Sequence, residues 1–203
     1  MLHDYYRSLF RFNCFAFLLV ILLVGLSLFY GLKVSDLFFY PYFSSSPNVA
    51  LLTRTFQILC SVPVIVCTFT YGIAKTLSPR NPENRFILFS AVLTGAFLLN
   101  EIYRIHIYLI LLGIPKLGVC LIYAVALSSY GWFFRRELKL TPYQILLAGL
   151  GLLFFAIAID ALQLKSKIIA SLLEGVPKLF SEINIAFYYW YVCQNFVEKN
   201  VIK

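Results

Sequence analysis

Residues Phe86 to Ile114 read FILFSAVLTGAFLLNEIYRIHIYLILLGI. The stretch exceeds the about 20 apolar residues that a helix needs to cross the hydrocarbon core of a bilayer. Within it lie four polar residues, Asn100, Glu101, Arg104 and His106. Ionisable side chains are costly in hydrocarbon and persist there when they are paired or face protein or water. The stretch therefore predicts a membrane-spanning helix, with a polar cluster where a functional site would lie.

The composition of the whole chain indicates the same class. Of 203 residues, 61% are hydrophobic and 13% are charged, and the mean hydropathy is +0.84. Soluble domains are about 45–50% apolar and about 25% charged. Runs such as Phe15–Leu23 lack the alternation of membrane barrel strands. We therefore expect an all-α fold, a polytopic transmembrane helical bundle that forms a single integral membrane domain over residues 1–203.

The length rule for membrane-crossing helices gives about six spans. They are approximately Phe12–Leu32, Val49–Ala74, Phe86–Ile114, Leu117–Phe134, Pro142–Leu164 and Leu179–Val197. The connections between them are short, which is typical of antiparallel neighbours.

The Lys and Arg residues at the span ends predict the orientation. The side that holds both termini carries ten of them and the opposite side carries six, with Arg104 left out because it lies inside a span. Both termini are therefore expected in the cytoplasm, and the chain in the cell inner membrane. The formal net charge of +8 is scattered over short loops. This distribution favours lipid headgroups as the partner and argues against nucleic acid.

Helical spacing divides the polar cluster between two faces. At about 100° per residue, Asn100, Glu101 and Arg104 share one face. His106 points the other way, together with Tyr103. Glu101 and Arg104 are three residues apart, so we expect them to pair along the helix. With the start of this helix in the cytoplasm, Glu101 is expected near mid-membrane.

Further acidic residues are expected in the outer half of the membrane. Asp160 lies near the outer end of the fifth span, and Glu174, Lys178 and Glu182 follow at intervals of four before and within the last span. The sequence therefore predicts a polar binding cluster in the outer leaflet half. Its members are Asn100, Glu101, Arg104, His106, Asp160, Glu174 and Glu182.

Three functions are compatible with this cluster. The first is an ion-pair network that fixes helix register. The second is an outward-facing cavity that binds a lipid headgroup, a polar ligand or a proton, including the proton or small solute of a transporter. The third is catalysis by a metal-assisted membrane-embedded hydrolase, with His106 or a carboxylate as general acid or base.

The catalytic alternative has few candidate groups. Zinc sites usually need three protein ligands, often imidazoles or thiolates, and the chain has two histidines, His3 and His106. Its five cysteines form no C-x-x-C pair, and we interpret them as small packing residues. No catalytic residue, metal ligand or cofactor is assigned. The predicted function is a binding or membrane-complex component, whose partners are the bilayer, other membrane subunits, or a lipid or polar ligand.

The order of these features resembles a loose group of uncharacterised bacterial six-helix integral membrane proteins. In that group a mid-chain helix carries an acidic pair followed by His-Glu, an Asp ends a later helix, and a Leu-Glu-Glu-Gly-like segment opens the last helix. The matching positions are Asn100-Glu101, His106-Ile107, Asp160 and Leu173-Glu174-Gly175. Asn100 and Ile107 each stand where the pattern has an acid, and Leu173 also departs from the pattern on this register. The resemblance implies a six-helix membrane fold and supplies no substrate.

Overall fold

The computed structural model describes residues 2–38, 50–162 and 166–201. Over these residues the chain forms eight α-helices, one short 3₁₀ helix at Val34–Leu37 and no strand. The α-helices are α1 (Leu2–Phe29), α2 (Leu51–Leu77), α3 (Glu83–Tyr103), α4 (Ile105–Leu111), α5 (Lys116–Phe133), α6 (Arg135–Lys139), α7 (Tyr143–Ala161) and α8 (Lys167–Val201). The predicted all-α class is confirmed.

Four helices in the described ranges are long and apolar enough to cross a membrane. Their candidate spans are Asp4–Phe29, Leu51–Leu77, Glu83–Tyr103 and Tyr143–Asp160. Helix α5 is apolar over Gly118–Phe133 but shorter. Helix α8 contains the sixth predicted span, but polar residues such as Glu182 and Asn184 lower its hydropathy. By length and composition, the structure therefore supports four spans where the sequence predicts about six.

The third predicted span, Phe86–Ile114, is not one continuous helix. Helix α3 ends at Tyr103, and α4 begins at Ile105. Between them, Arg104 has a left-handed backbone, with φ 51° and ψ 43°. Residues with a Cβ adopt this conformation at a cost, and it commonly ends a helix. A constant angle of 100° per residue therefore does not hold across Arg104.

The chain groups into two compact units. The first unit comprises the described residues of Met1–Leu59 and Ile145–Phe187, and the second those of Cys60–Gln144 and Tyr188–Lys203. Helices α2, α7 and α8 contribute residues to both, α7 only through its first two residues in the second unit. Each unit thus joins segments that lie far apart in the sequence.

Aromatic side chains hold α1 against α8 in the first unit. The ring centroids of Phe12 and Phe187 are 5.2 Å apart, and those of Phe17 and Phe180 are 6.3 Å apart. Aromatic pairs at such distances contribute stability beyond the area that they bury. The two pairs also show that α1 and α8 run in opposite directions, because the later residue on α1 meets the earlier residue on α8.

A glycine brings α7 close to α8 in the same unit. A Cβ added at Gly149 would lie 2.9 Å from Cγ1 of Ile185 and 3.0 Å from the backbone oxygen of Ser181. Small residues at helix contacts let two backbones approach closely, as is common between membrane helices. The α7–α8 contact therefore depends on the missing side chain at Gly149.

An aromatic core organises the second unit. Phe86 of α3, Tyr130 of α5 and Phe134, which follows α5, have ring centroids 5.2–6.0 Å apart. Near the end of α8, Oδ1 of Asn200 lies 3.4 Å from the hydroxyl of Ser78, which donates to it. The aromatic rings join α3 to α5, and the polar contact joins the end of α8 to the turn between α2 and α3.

Candidate functional site

Asn100 connects the two sides of the helix break. Its side chain is 5% exposed, and its Oδ1 accepts a hydrogen bond of 2.9 Å from the backbone N–H of His106. The same oxygen lies 3.2 Å from Nδ1 of the His106 ring. Because the first turn of a helix leaves N–H groups without helical partners, Asn100 supplies one of those partners to α4.

Helical spacing predicts two separate polar faces on one helix, and the helix break at Arg104 makes this prediction wrong. Spacing separates Asn100 from His106, whereas the structure brings them into hydrogen-bonding contact. The Arg104 side chain is exposed and forms no ion pair or hydrogen bond within the part of the chain that the structure describes. Its expected pairing with Glu101 is therefore not seen. The physical reason is the left-handed backbone of Arg104, which ends the helical phase of α3.

The other predicted site residues lie in the first unit. Glu174 and Lys178 form an ion pair of 2.7 Å along α8, as their interval of four predicts. Glu182 is 2% exposed, and Asp160 is exposed near the end of α7. Four members of the predicted cluster belong to the second unit: Asn100, Glu101, Arg104 and His106. The seven predicted residues are thus divided between the two units.

Candidate metal ligands are dispersed. Among the residues described, no group of three His, Cys, Asp or Glu side chains lies close enough to hold a metal ion. Nδ1 of His106, one of its two ring nitrogens, faces the amide oxygen of Asn100. No residue is therefore assigned as a metal ligand.

Buried polar contacts in the second unit were not anticipated from the sequence. The hydroxyls of Ser90 and Tyr130 are 2.6 Å apart, and that of Tyr189 is 3.5 Å from Tyr130. The free thiols of Cys67 and Cys193 are 3.8 Å apart. These partners are 40 to 126 residues apart in the chain. Because they lie on different helices, no local spacing could reveal them.

A groove of about 820 Å³ opens in the first unit. Its α1 wall is a stripe at helical spacing, made of Tyr6, Leu9, Phe10, Asn13, Cys14 and Phe17. The facing wall is made of Leu152 from α7 and of Val176, Pro177, Phe180 and Asn184 from α8. Ligand pockets typically measure about 300–1,000 Å³ and are mostly apolar with a few polar groups. The groove has this size and character, and no predicted site residue lines it.

The two asparagines of the groove are tied to their own helices. Nδ2 of Asn13 donates to the backbone oxygen of Leu9 at 2.9 Å, and Nδ2 of Asn184 donates to that of Phe180 at 2.6 Å. These bonds satisfy one amide donor of each asparagine inside an apolar environment, whereas Oδ1 of Asn13 is buried with no hydrogen-bond partner among the described residues. The rest of the groove lining is chiefly apolar.

Residues 33–193 match a family described as a domain of unknown function, DUF8692. The chain belongs to this family. No curated protein and no solved structure matches it significantly. The DUF8692 region includes α2 to α7 and most of α8, and all seven predicted site residues fall within it. The α1 wall of the groove precedes the DUF8692 region.

Proposed function

We propose that the protein is an integral membrane protein with six crossings that serves as a binding component. The observation that carries this proposal is the apolar surface of the long helices. Large side chains on α1 and α2 expose 62–69% of their surface, namely Phe10, Phe15, Leu18, Ile58, Ile65 and Phe69. Soluble monomers rarely expose apolar patches beyond a few hundred Å². Lipid tails, in contrast, are as apolar as these side chains and can cover them.

Helices α5 and α8 supply the two further crossings in this proposal. Helix α5 has 18 residues and therefore extends about 27 Å, close to the about 30 Å of the hydrocarbon core. Helix α8 buries two of the polar side chains within its predicted span, since Ser181 is 0% exposed and Glu182 is 2% exposed. A helix whose polar residues face protein can lie in a bilayer at lower hydropathy than one that faces lipid.

In this arrangement the helix break lies at the outer boundary of the bilayer. From Phe86 to Arg104, α3 rises about 27 Å, which nearly equals the thickness of the hydrocarbon core. If α3 begins at the cytoplasmic side, Arg104 reaches the outer headgroups. The length of α3 therefore supports a position for Glu101 and Arg104 that is shallower than the mid-membrane position expected from the sequence.

Alkaline carbonate extraction tests the membrane location. The wild-type chain should remain with the membrane pellet, because its exposed apolar helices would lose their lipid contacts on release. A known peripheral protein in the same sample provides the control that extraction worked. Release of the wild-type chain into the supernatant would contradict the proposal.

Labelling of α6 distinguishes six crossings from four. If α5 crosses, the exposed Lys139 is cytoplasmic. If only the four candidate spans cross, it is on the outside. A Lys139→Cys variant without the native cysteines should react with a membrane-impermeant maleimide only after the cells are opened. Labelling in intact cells would support four crossings and overturn six.

A further inference from the structure

Two positive charges on α1 adjoin the N-terminal half of the groove without lining it. Tyr6 and Phe10 of its α1 wall are followed directly by Arg7 and Arg11. Both arginines are exposed, and neither forms an ion pair or hydrogen bond over the described ranges. Two guanidinium groups without carboxylate partners therefore stand beside an apolar groove.

We propose that this groove binds one phospholipid with a negatively charged headgroup. An acyl chain lies between α1 and α8, and the phosphate contacts Arg7 and Arg11. Arginine suits this ligand because its planar guanidinium donates two parallel hydrogen bonds to a phosphate. The inference rests on the proposed membrane location, because the lipid comes from the leaflet around the N-terminal half of α1.

The groove lies within one leaflet. Its α1 wall continues from Arg11 to Phe17, about 9 Å along the helix axis, which is less than half of the about 30 Å hydrocarbon core. The pairing of Phe17 with Phe180 puts Val176 and Pro177 at the end away from the arginines. Pro177 lies inside α8, where its ring removes one helical N–H donor and forms part of the groove wall. A single acyl chain therefore suits the groove better than a ligand that spans the membrane.

Native mass spectrometry can test occupancy of the groove. The purified full chain is equilibrated in detergent micelles with equimolar phosphatidylglycerol and phosphatidylcholine. The wild type should retain one phosphatidylglycerol. Cys14→Trp adds bulk to the groove wall and should abolish retention. The control Ser8→Trp adds a similar bulk at an exposed position of α1 that faces away from the groove, and it should retain the lipid.

A second pair of variants tests the headgroup. Each basic residue near an anionic membrane surface changes affinity about fivefold. Arg7→Gln and Arg11→Gln should therefore each reduce the preference for phosphatidylglycerol by about that factor while a lipid chain is still retained. Arg80→Gln removes an exposed charge from the second unit and should leave the preference unchanged.

Two outcomes would overturn the lipid proposal. One is equal retention by the wild type and Cys14→Trp, and the other is equal binding of the two lipids by the wild type. Carbonate extraction of every variant distinguishes a failure of the proposed membrane location from a failure of the proposed lipid binding. Release of the wild type would refute the membrane location, whereas a membrane-bound chain with unselective or unchanged lipid retention refutes the groove alone.

Discussion

At the scale of single residues, Asn100 is the side chain that completes the helix break. Its polar character within an apolar stretch made it a candidate from the sequence alone. Its actual partner, the backbone N–H of His106, could not be predicted. Periodicity assumes an unbroken helix, and the break falls at Arg104 rather than at a glycine or proline.

Replacing Asn100 by Leu should destabilise the fold by about 1–3 kcal/mol, because the His106 N–H then loses its acceptor in a partly buried place. The loss would be measured by thermal or denaturant unfolding in detergent. Asn100→Asp keeps an acceptor oxygen at this position, and at a low pH, where its carboxyl is neutral, it should retain most of the stability that the wild type has at the same pH. Equal losses in the two variants at that pH would show that the hydrogen bond to His106 does not stabilise the break.

At the scale of helices, the long apolar runs of the sequence fall on helices of the structure. They do not predict the residues at which those helices begin and end. The predicted last span, Leu179–Val197, lies within α8, which begins at Lys167. Hydropathy identifies the part of a helix that is apolar enough to contact lipid. It does not detect a polar segment at the start of the same helix. The ion pair of Glu174 and Lys178 lies in this additional part and stabilises it through its i,i+4 spacing.

The two glycines of α7 should respond in opposite ways to alanine. Gly149→Ala forces a Cβ against Ile185 and the Ser181 backbone, so we expect a loss of about 1–3 kcal/mol. At Gly151 a Cβ meets nothing within 4 Å, so Gly151→Ala should be neutral or stabilise by up to about 1 kcal/mol through helix propensity. Unfolding of the paired variants in one detergent measures the difference. Similar stabilities would contradict close packing of α7 on α8.

At the scale of the whole molecule, the amino-acid composition predicted the all-α class but not the division into two compact units. Both units have the same apolar character, so no change in composition marks their boundary. Contacts such as that between Cys67 and Cys193 join positions 126 residues apart. Such pairings depend on which helices become neighbours, and one sequence carries no local signal for that choice. The apolar groove went unpredicted for the same reason, since its walls come from three helices.

The distribution of Lys and Arg predicts that the two ends of the chain share the cytoplasmic side. Single cysteines introduced as Ser8→Cys and Lys199→Cys into a cysteine-free chain should react with an impermeant maleimide only in opened cells. Leu112→Cys, at an exposed position between α4 and α5, should react in intact cells. The reverse pattern would invert the orientation, and labelling of the two terminal positions from opposite sides would require an odd number of crossings.

The contribution of α8 to both units also has a consequence for synthesis. The aromatic partners of Phe12 and Phe17 are Phe187 and Phe180, which leave the ribosome about 160–175 residues later. At about 5–20 residues per second, α1 is made roughly 8–35 s before its partner residues on α8. The first unit cannot complete its aromatic pairs during that interval. A premature stop before α8 would therefore leave Phe12 and Phe17 without their ring partners, although α3 and α5 could still form their aromatic core.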